Sequence, residues 1–418
     1  MSEDALKMKS LSKDSGIWQW AMFSFVLAGL TGFLYRLGLV FPLPIDFSFE
    51  NIRHGHSHLM FFGWAALLPM YLIKLDSIPG YHAAFGPRLM KASLWFSVVF
   101  TLLSYPAFLM WGYQPVAAGE AYLPLSAILS GMVMIGWYGF MIGYLITRYF
   151  KKDFQPNIWF ESALIMLFIS SLGAWGVGFV ELMGIGGPMF GKALTHFFLA
   201  TFMEGWVILV LLGLIAKVLK IGEKELVVSP LVLVGLITIG APLTFPYGIP
   251  ESMVSLNLSV AARMGGFLIA EGILLFAFSA FRSRKKMMAI WVWPLIFLVA
   301  KAFMQLVASV SPADLWLSDH GIRILYLHVV LLGALTTGLV AYLNRDLDIR
   351  AGYFYAVLGS VIFVILTLVL LTSLWPAFLS GIWIYDVLAL AAIFPVIAVM
   401  LFWLKLYLTV KKDVKQFP

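Results

Sequence analysis

Apolar runs long enough to cross a bilayer recur along the whole chain, separated by short polar breaks. They predict spans near 17–41, 56–75, 92–113, 122–148, 158–183, 190–216, 228–246, 257–281, 287–309, 320–343, 352–374 and 379–408. Each approaches or exceeds the roughly 20 residues a spanning helix needs, so the runs read as helices and not strands. The expected fold is all-α, a polytopic membrane bundle of about 12 transmembrane helices. A tail at 1–16 and another at 410–418 flank one integral domain at 17–409. No soluble domain, low-complexity tract or clear sequence repeat interrupts the pattern. A structural six-plus-six duplication stays open, because such repeats leave little trace in one sequence.

Composition agrees with lipid as the solvent. Hydrophobic residues make up 62% of the 418, charged residues only 12%, and mean hydropathy is +0.95. A soluble domain cannot hide that much apolar surface. Fifteen Trp suit aromatic belts at the two interfaces. The excess of 28 Lys and Arg over 21 Asp and Glu falls in short loops, so it reports orientation and gives no reason to expect nucleic acid. Lys7, Lys9 and Lys13 precede span one, Arg148, Lys151 and Lys152 follow span four, and Lys411, Lys412 and Lys415 close the chain. The alternate loops, such as 184–191 and 247–257, are nearly free of basic residues. By the positive-inside bias both termini are cytoplasmic, and the expected location is a bacterial inner membrane. The polar N-terminus, without a small-residue cleavage site, reads as leading into a retained first helix. The absence of cysteine excludes disulfides, thiolate metal sites, iron–sulfur clusters and covalent c-type heme attachment within the chain.

Of seven histidines, three stand at alternate positions in Asn51-Ile52-Arg53-His54-Gly55-His56-Ser57-His58-Leu59-Met60. Imidazole is the commonest metal ligand and is costly to place at a membrane boundary without a purpose. On a helix His54 and His58 share a face and His56 points elsewhere, provided the helix begins before them. The competing reading is a hydrogen-bonded interfacial cluster. His196 in span six and His328 in span ten fall, with His58, in one outer layer about 3 to 12 Å deep at 1.5 Å per residue. His320, Arg323, Arg53 and Arg36 lie at the same boundary. Guanidinium there suits heme propionates, and ordinary interfacial anchoring is the alternative. His82 lies in a loop and carries no cofactor role.

Twelve spans with histidines on spans two, six and ten resemble subunit I of the heme–copper oxidase and nitric-oxide reductase superfamily. His56-Ser57-His58-Leu59-Met60-Phe61-Phe62, with Pro69 downstream, is similar to that family's second-span motif, whose histidine ligates the low-spin heme. His56 fits the spacing to Met60, and His58 fits the spacing to Pro69 better. Tyr326-Leu327-His328 resembles the tenth-span His-x-His, with His328 as the other low-spin ligand and Tyr326 in place of the high-spin one. His196 matches the sixth-span copper ligand, but span seven lacks the family's histidine pair. The resemblance therefore implies a heme b between His56 or His58 and His328, without a standard oxygen-reducing centre. A second, atypical metal, copper or non-heme iron, would draw on His54, His196 and His320.

Glu204, Glu271 and Lys301 are ionisable residues within apolar spans and are expected to find partners or water. Glu204 and Glu271 come out at similar depth, a candidate proton pathway. Lys301 has Asp386 or Glu204 as possible structural partners. The segment 240–246 breaks span seven near its end. The leading expectation is a heme-bearing oxidoreductase or electron-transfer protein served by a quinol or periplasmic electron donor, or meeting a small gas. A twelve-helix secondary or divalent-metal transporter is the alternative, and a heme or copper assembly factor a third. The substrate is not legible.

Overall fold

The structure is a computed structural model of the full chain. It describes all residues except 1–14, 43–47, 78–83, 120, 152, 153, 155, 250–252, 284–288, 312–318, 347, 348, 417 and 418. His82 lies outside the described residues. Twelve helices are long and apolar enough to cross a membrane: α1 Gly16–Leu37, α2 Phe49–Ser77, α3 Phe85–Trp111, α4 Leu125–Phe150, α5 Ile158–Val180 and α6 Met189–Val218, then α7 Pro230–Gly248, α8 Leu256–Arg282, α9 Ala289–Val310, α10 His320–Arg345, α11 Ala351–Val369 and α12 Trp383–Lys411. A short antiparallel hairpin, Val116–Ala118 with Ala121–Leu123, joins α3 to α4. The chain is a multi-pass integral membrane protein.

Local chemistry sets the helix ends. Ser48 caps α2 by accepting from Asn51 N at 3.1 Å, so the helix starts well before the predicted position 56. His54, His56 and His58 are therefore all helical. Asn157 caps α5 through Trp159 N at 3.0 Å, and Ser255 caps α8 through Leu258 N at 3.4 Å. Each satisfies a backbone donor left without an intrahelical partner at a helix start. Pro242 and Pro246 end the regular part of α7 at Leu243, and a tight turn over Phe245–Gly248 continues it.

The chain forms two compact units. The first comprises α1–α4 with α11 and α12, the second α5–α10. Within the first, α1 packs against α2 and α12, and α3 packs along α4. Glycines allow that approach: a Cβ at Gly143 would meet the Gly86 backbone. Within the second, α7 and α8 pack at Gly240 and Gly265, each standing against the other's carbonyl.

A repeat every four helices emerges from burial. The apolar windows of α2, α6 and α10 are 89%, 83% and 78% buried, whereas no other span exceeds 56%. These three, the histidine-bearing spans, are enclosed by protein, while the rest present apolar faces suited to lipid. Each contains widened π-helical turns, at Leu59–Ala66, Thr201–Val207 and Val329–Thr336. The fifth residue of each is glycine: Gly63, Gly205 and Gly333. A Cβ there would collide with Ser24 on α1, Met166 on α5 and Phe297 on α9, in each case the preceding helix. π-helical insertions concentrate at functional sites. His58 and His328 immediately precede their π-helical segments, and His54 and His196 hold the same offset from their glycines.

Candidate functional site

In the second unit, buried and half-buried polar side chains of four helices join into one chain. Lys301, Gln305 and Ser309 follow one another at single-turn intervals on α9 and form a stripe on one face. The Lys301 ammonium pairs with Glu204 Oε2 of α6 and donates to Gln305 Oε1. Tyr326 of α10 donates its hydroxyl to Glu204 Oε1. Ser309 donates to the Gln305 carbonyl at 2.8 Å. Tyr247 stands 3.0 Å from Ser309 Oγ, and because the serine proton is already committed, the tyrosine is the donor. The broken end of α7 delivers this hydroxyl.

The electrostatics follow from burial. Lys301 and Glu204 side chains are 0% and 6% exposed, so each charge needs the other. The sequence allows Lys301 either Glu204 or Asp386 as partner. The structure selects Glu204, and Asp386 stands exposed on α12. Lys301 Nζ also lies 5.9 Å from the Tyr326 ring centroid. The carboxylate thus sits between a cation and a phenol, an arrangement able to hold and pass a proton. Tyr247, Gln305 and Ser309 were missed from sequence; the signal available was the polar stripe at 301, 305 and 309. Glu271, expected at Glu204's depth, stands on the exposed face of α8.

At one end of this unit, Asp319 caps α10 by accepting from Gly321 N at 2.7 Å and Ile322 N at 3.2 Å. Its other oxygen accepts from Ser373 N at 2.7 Å. Burial raises the Asp319 carboxyl, but the bonds from Ser373, Ile322 and Gly321 outweigh it and hold the pKa below the usual value. His320 follows, exposed. Arg323 is half-buried, and its Nε has no hydrogen-bond partner among the described residues. His196 packs against Gly248 at the turn of α7. His328 has its Nδ1 2.8 Å from the Ile324 carbonyl.

In the first unit the three clustered histidines take separate roles. His56 Nδ1 lies 2.7 Å from the Ala28 carbonyl of α1, and Gly32 leaves room for the ring. A carbonyl only accepts, so Nδ1 carries the proton and Nε2 keeps its lone pair. No hydrogen bond engages that Nε2 among the described residues. His58 Nε2 instead meets Tyr113 OH at 3.0 Å, and its ring stacks on Phe108 with centroids 3.7 Å apart. His54 lies edge-on to Tyr113 and 3.5 Å from Glu50 Oε1, which also pairs with Arg53 at 3.3 Å. His54 and His58 do share a face, as the spacing required. Yet no group of three or more His, Asp or Glu gathers into a metal-binding set among the described residues.

No protein-family model matches the chain, and no curated protein matches it.

Proposed function

We propose that this chain is a heme-bearing membrane redox protein, with His56 in the first unit and His328 in the second as candidate heme ligands. One observation carries the reading: both imidazoles have Nδ1 fixed by a backbone carbonyl, at 2.7 Å from Ala28 and 2.8 Å from Ile324. Metal-binding histidines characteristically donate their other ring nitrogen in this way, which fixes ring plane and tautomer. His328 immediately precedes the π-helical segment of α10, and His56 stands three residues before that of α2. The half-buried Arg323, with an unengaged Nε, suits a propionate carboxylate. His58 is the weaker candidate, because its Nε2 is committed to Tyr113.

A heme b would supply one-electron chemistry when bound. The residues of the chain would orient the imidazoles, meet the propionates and, through Glu204, Lys301 and Tyr326, hold a proton in the second unit. Electron donors in keeping with this reading are a quinol or a periplasmic carrier, and a small gas is a fitting ligand or substrate. Both termini on the cytoplasmic side and an inner-membrane location belong to the same proposal. Copper or non-heme iron at His54, His196 or His320 finds less support, since these side chains build no three-ligand set among the described residues.

A second reading, a proton-coupled transporter, draws on the buried Glu204–Lys301 pair, since intramembrane charges mark ion pathways. The reduced-minus-oxidised spectrum and iron content of purified protein separate the two. Stoichiometric heme with bis-imidazole bands is expected. A colourless, iron-free protein that takes up substrate in proton-loaded vesicles would replace this proposal with the transporter.

A further inference from the structure

Glu271 is an exposed carboxylate halfway along α8, on a stripe that is otherwise apolar: Leu256, Val260, Met264, Phe267 and Phe278 are the exposed large side chains on that face. No hydrogen bond or ion pair from a described residue reaches it. The opposite face of α8 is fixed inward by small residues, Gly265 against α7 and Gly266 against Ser309 and Tyr247. The carboxylate therefore points away from the relay and into what a bilayer would fill with hydrocarbon. There an unpartnered carboxylate is costly, so a donor from outside the chain is called for.

The surroundings define that donor. Phe267, Leu274, Leu275 and Phe278 of α8, with Leu306 of α9, wall a groove of about 470 Å³ around Glu271. The groove is open to its surroundings and offers apolar walls with one polar fixing group. A matching ligand carries a single hydrogen-bond donor head on an apolar body. Phospholipid headgroups do not fit, because they stay at the interface and Glu271 lies mid-span. The groove also covers only the central turns of α8, less than a packed transmembrane helix would occupy.

We infer that Glu271 and this groove bind the head of a membrane-soluble hydroquinone, the carboxylate accepting a hydrogen bond from one phenolic O–H. As a source of electrons this ligand rests on the heme reading above; as a ligand it stands on the groove alone.

The test uses purified full-length protein in lipid nanodiscs, a short-tailed benzoquinol as the probe, and dicyclohexylcarbodiimide as a reagent for membrane-embedded carboxyls. Mass spectrometry should find Glu271 labelled, and saturating benzoquinol should protect it. Glu271→Gln and Leu274→Trp, both outside any packed core, should each weaken benzoquinol binding at least about tenfold, the scale of one lost charge-assisted bond. Labelling undiminished by benzoquinol, or both variants binding like wild type, overturns the site. So does a co-purifying transmembrane partner that shields Glu271. Heme absent with protection retained defeats the redox reading and leaves the site; heme present without protection defeats the site alone.

Discussion

Lys301 and Glu204 neutralise each other in the second unit where neither side chain reaches solvent. The pair is costly to form, because both ions leave water, and its geometry must supply what solvation no longer does. Removing one partner strands the other. Glu204→Leu and Lys301→Met are each expected to destabilise the protein by about 3–5 kcal/mol, and the double variant should recover most of that loss. Thermal unfolding in detergent of all four proteins measures the coupling. Additive losses would mean that the two charges do not depend on each other.

Tyr326 completes the shell of Glu204 through its hydroxyl. Tyr326→Phe keeps the ring and removes only this donor, so it should cost about 1–3 kcal/mol and leave Lys301 as the carboxylate's remaining strong partner. If the relay carries protons, proton uptake on reduction should slow in this variant while the heme spectrum stays unchanged. Stopped-flow with a pH indicator dye reads the first quantity and visible absorption the second.

Lipid made much of this architecture legible. A bilayer demands long apolar runs with internally satisfied backbones, so all twelve spans stand out and only their ends shift. Span two begins at Phe49 and not at 56 because Ser48 caps it. Facing is what the sequence hid. When both lipid and protein interior are apolar, helical periodicity no longer separates in from out, so Glu204 and Glu271 looked alike although one is buried and the other exposed. The four-helix repeat was hidden for a similar reason. Gly63, Gly205 and Gly333 share a packing role while most of their neighbours are interchangeable hydrophobes. Tyr247 and Ser309 belong to different helices, and only the broken end of α7 brings them together.

Asp319 makes a pH prediction. Its carboxyl pKa is held below the unfolded value, so the stability it adds is present above about pH 4 and fades as pH falls through the lower folded value. Asp319→Asn keeps the cap, gives up the Ser373 bond and removes the titration, so the wild-type loss of stability as pH falls below about 4 should shrink in it. Asp319→Ala should cost about 1–2 kcal/mol at neutral pH, through the lost cap and the lost Ser373 bond. Melting temperature against pH for the three proteins decides this. An identical acid dependence in wild type and Asp319→Asn would assign the effect elsewhere.

His56 and His58 differ by two positions and by what their nitrogens touch, which makes them a sharp pair for testing heme ligation. His56 donates Nδ1–H to Ala28 and keeps Nε2 for an outside atom, whereas His58 spends Nε2 on Tyr113 and its ring face on Phe108. His56→Ala and His328→Ala are each expected to abolish the low-spin spectrum while the protein still inserts and purifies. His58→Ala should retain it, with a stability loss of about 1–3 kcal/mol from the lost stack and hydrogen bond. External imidazole should restore part of the spectrum to His56→Ala, because the cavity left by the ring stays lined by Gly32 and the Ala28 carbonyl. Loss of heme in His58→Ala together with its retention in His56→Ala would exchange the two assignments and place the iron on the face shared with His54.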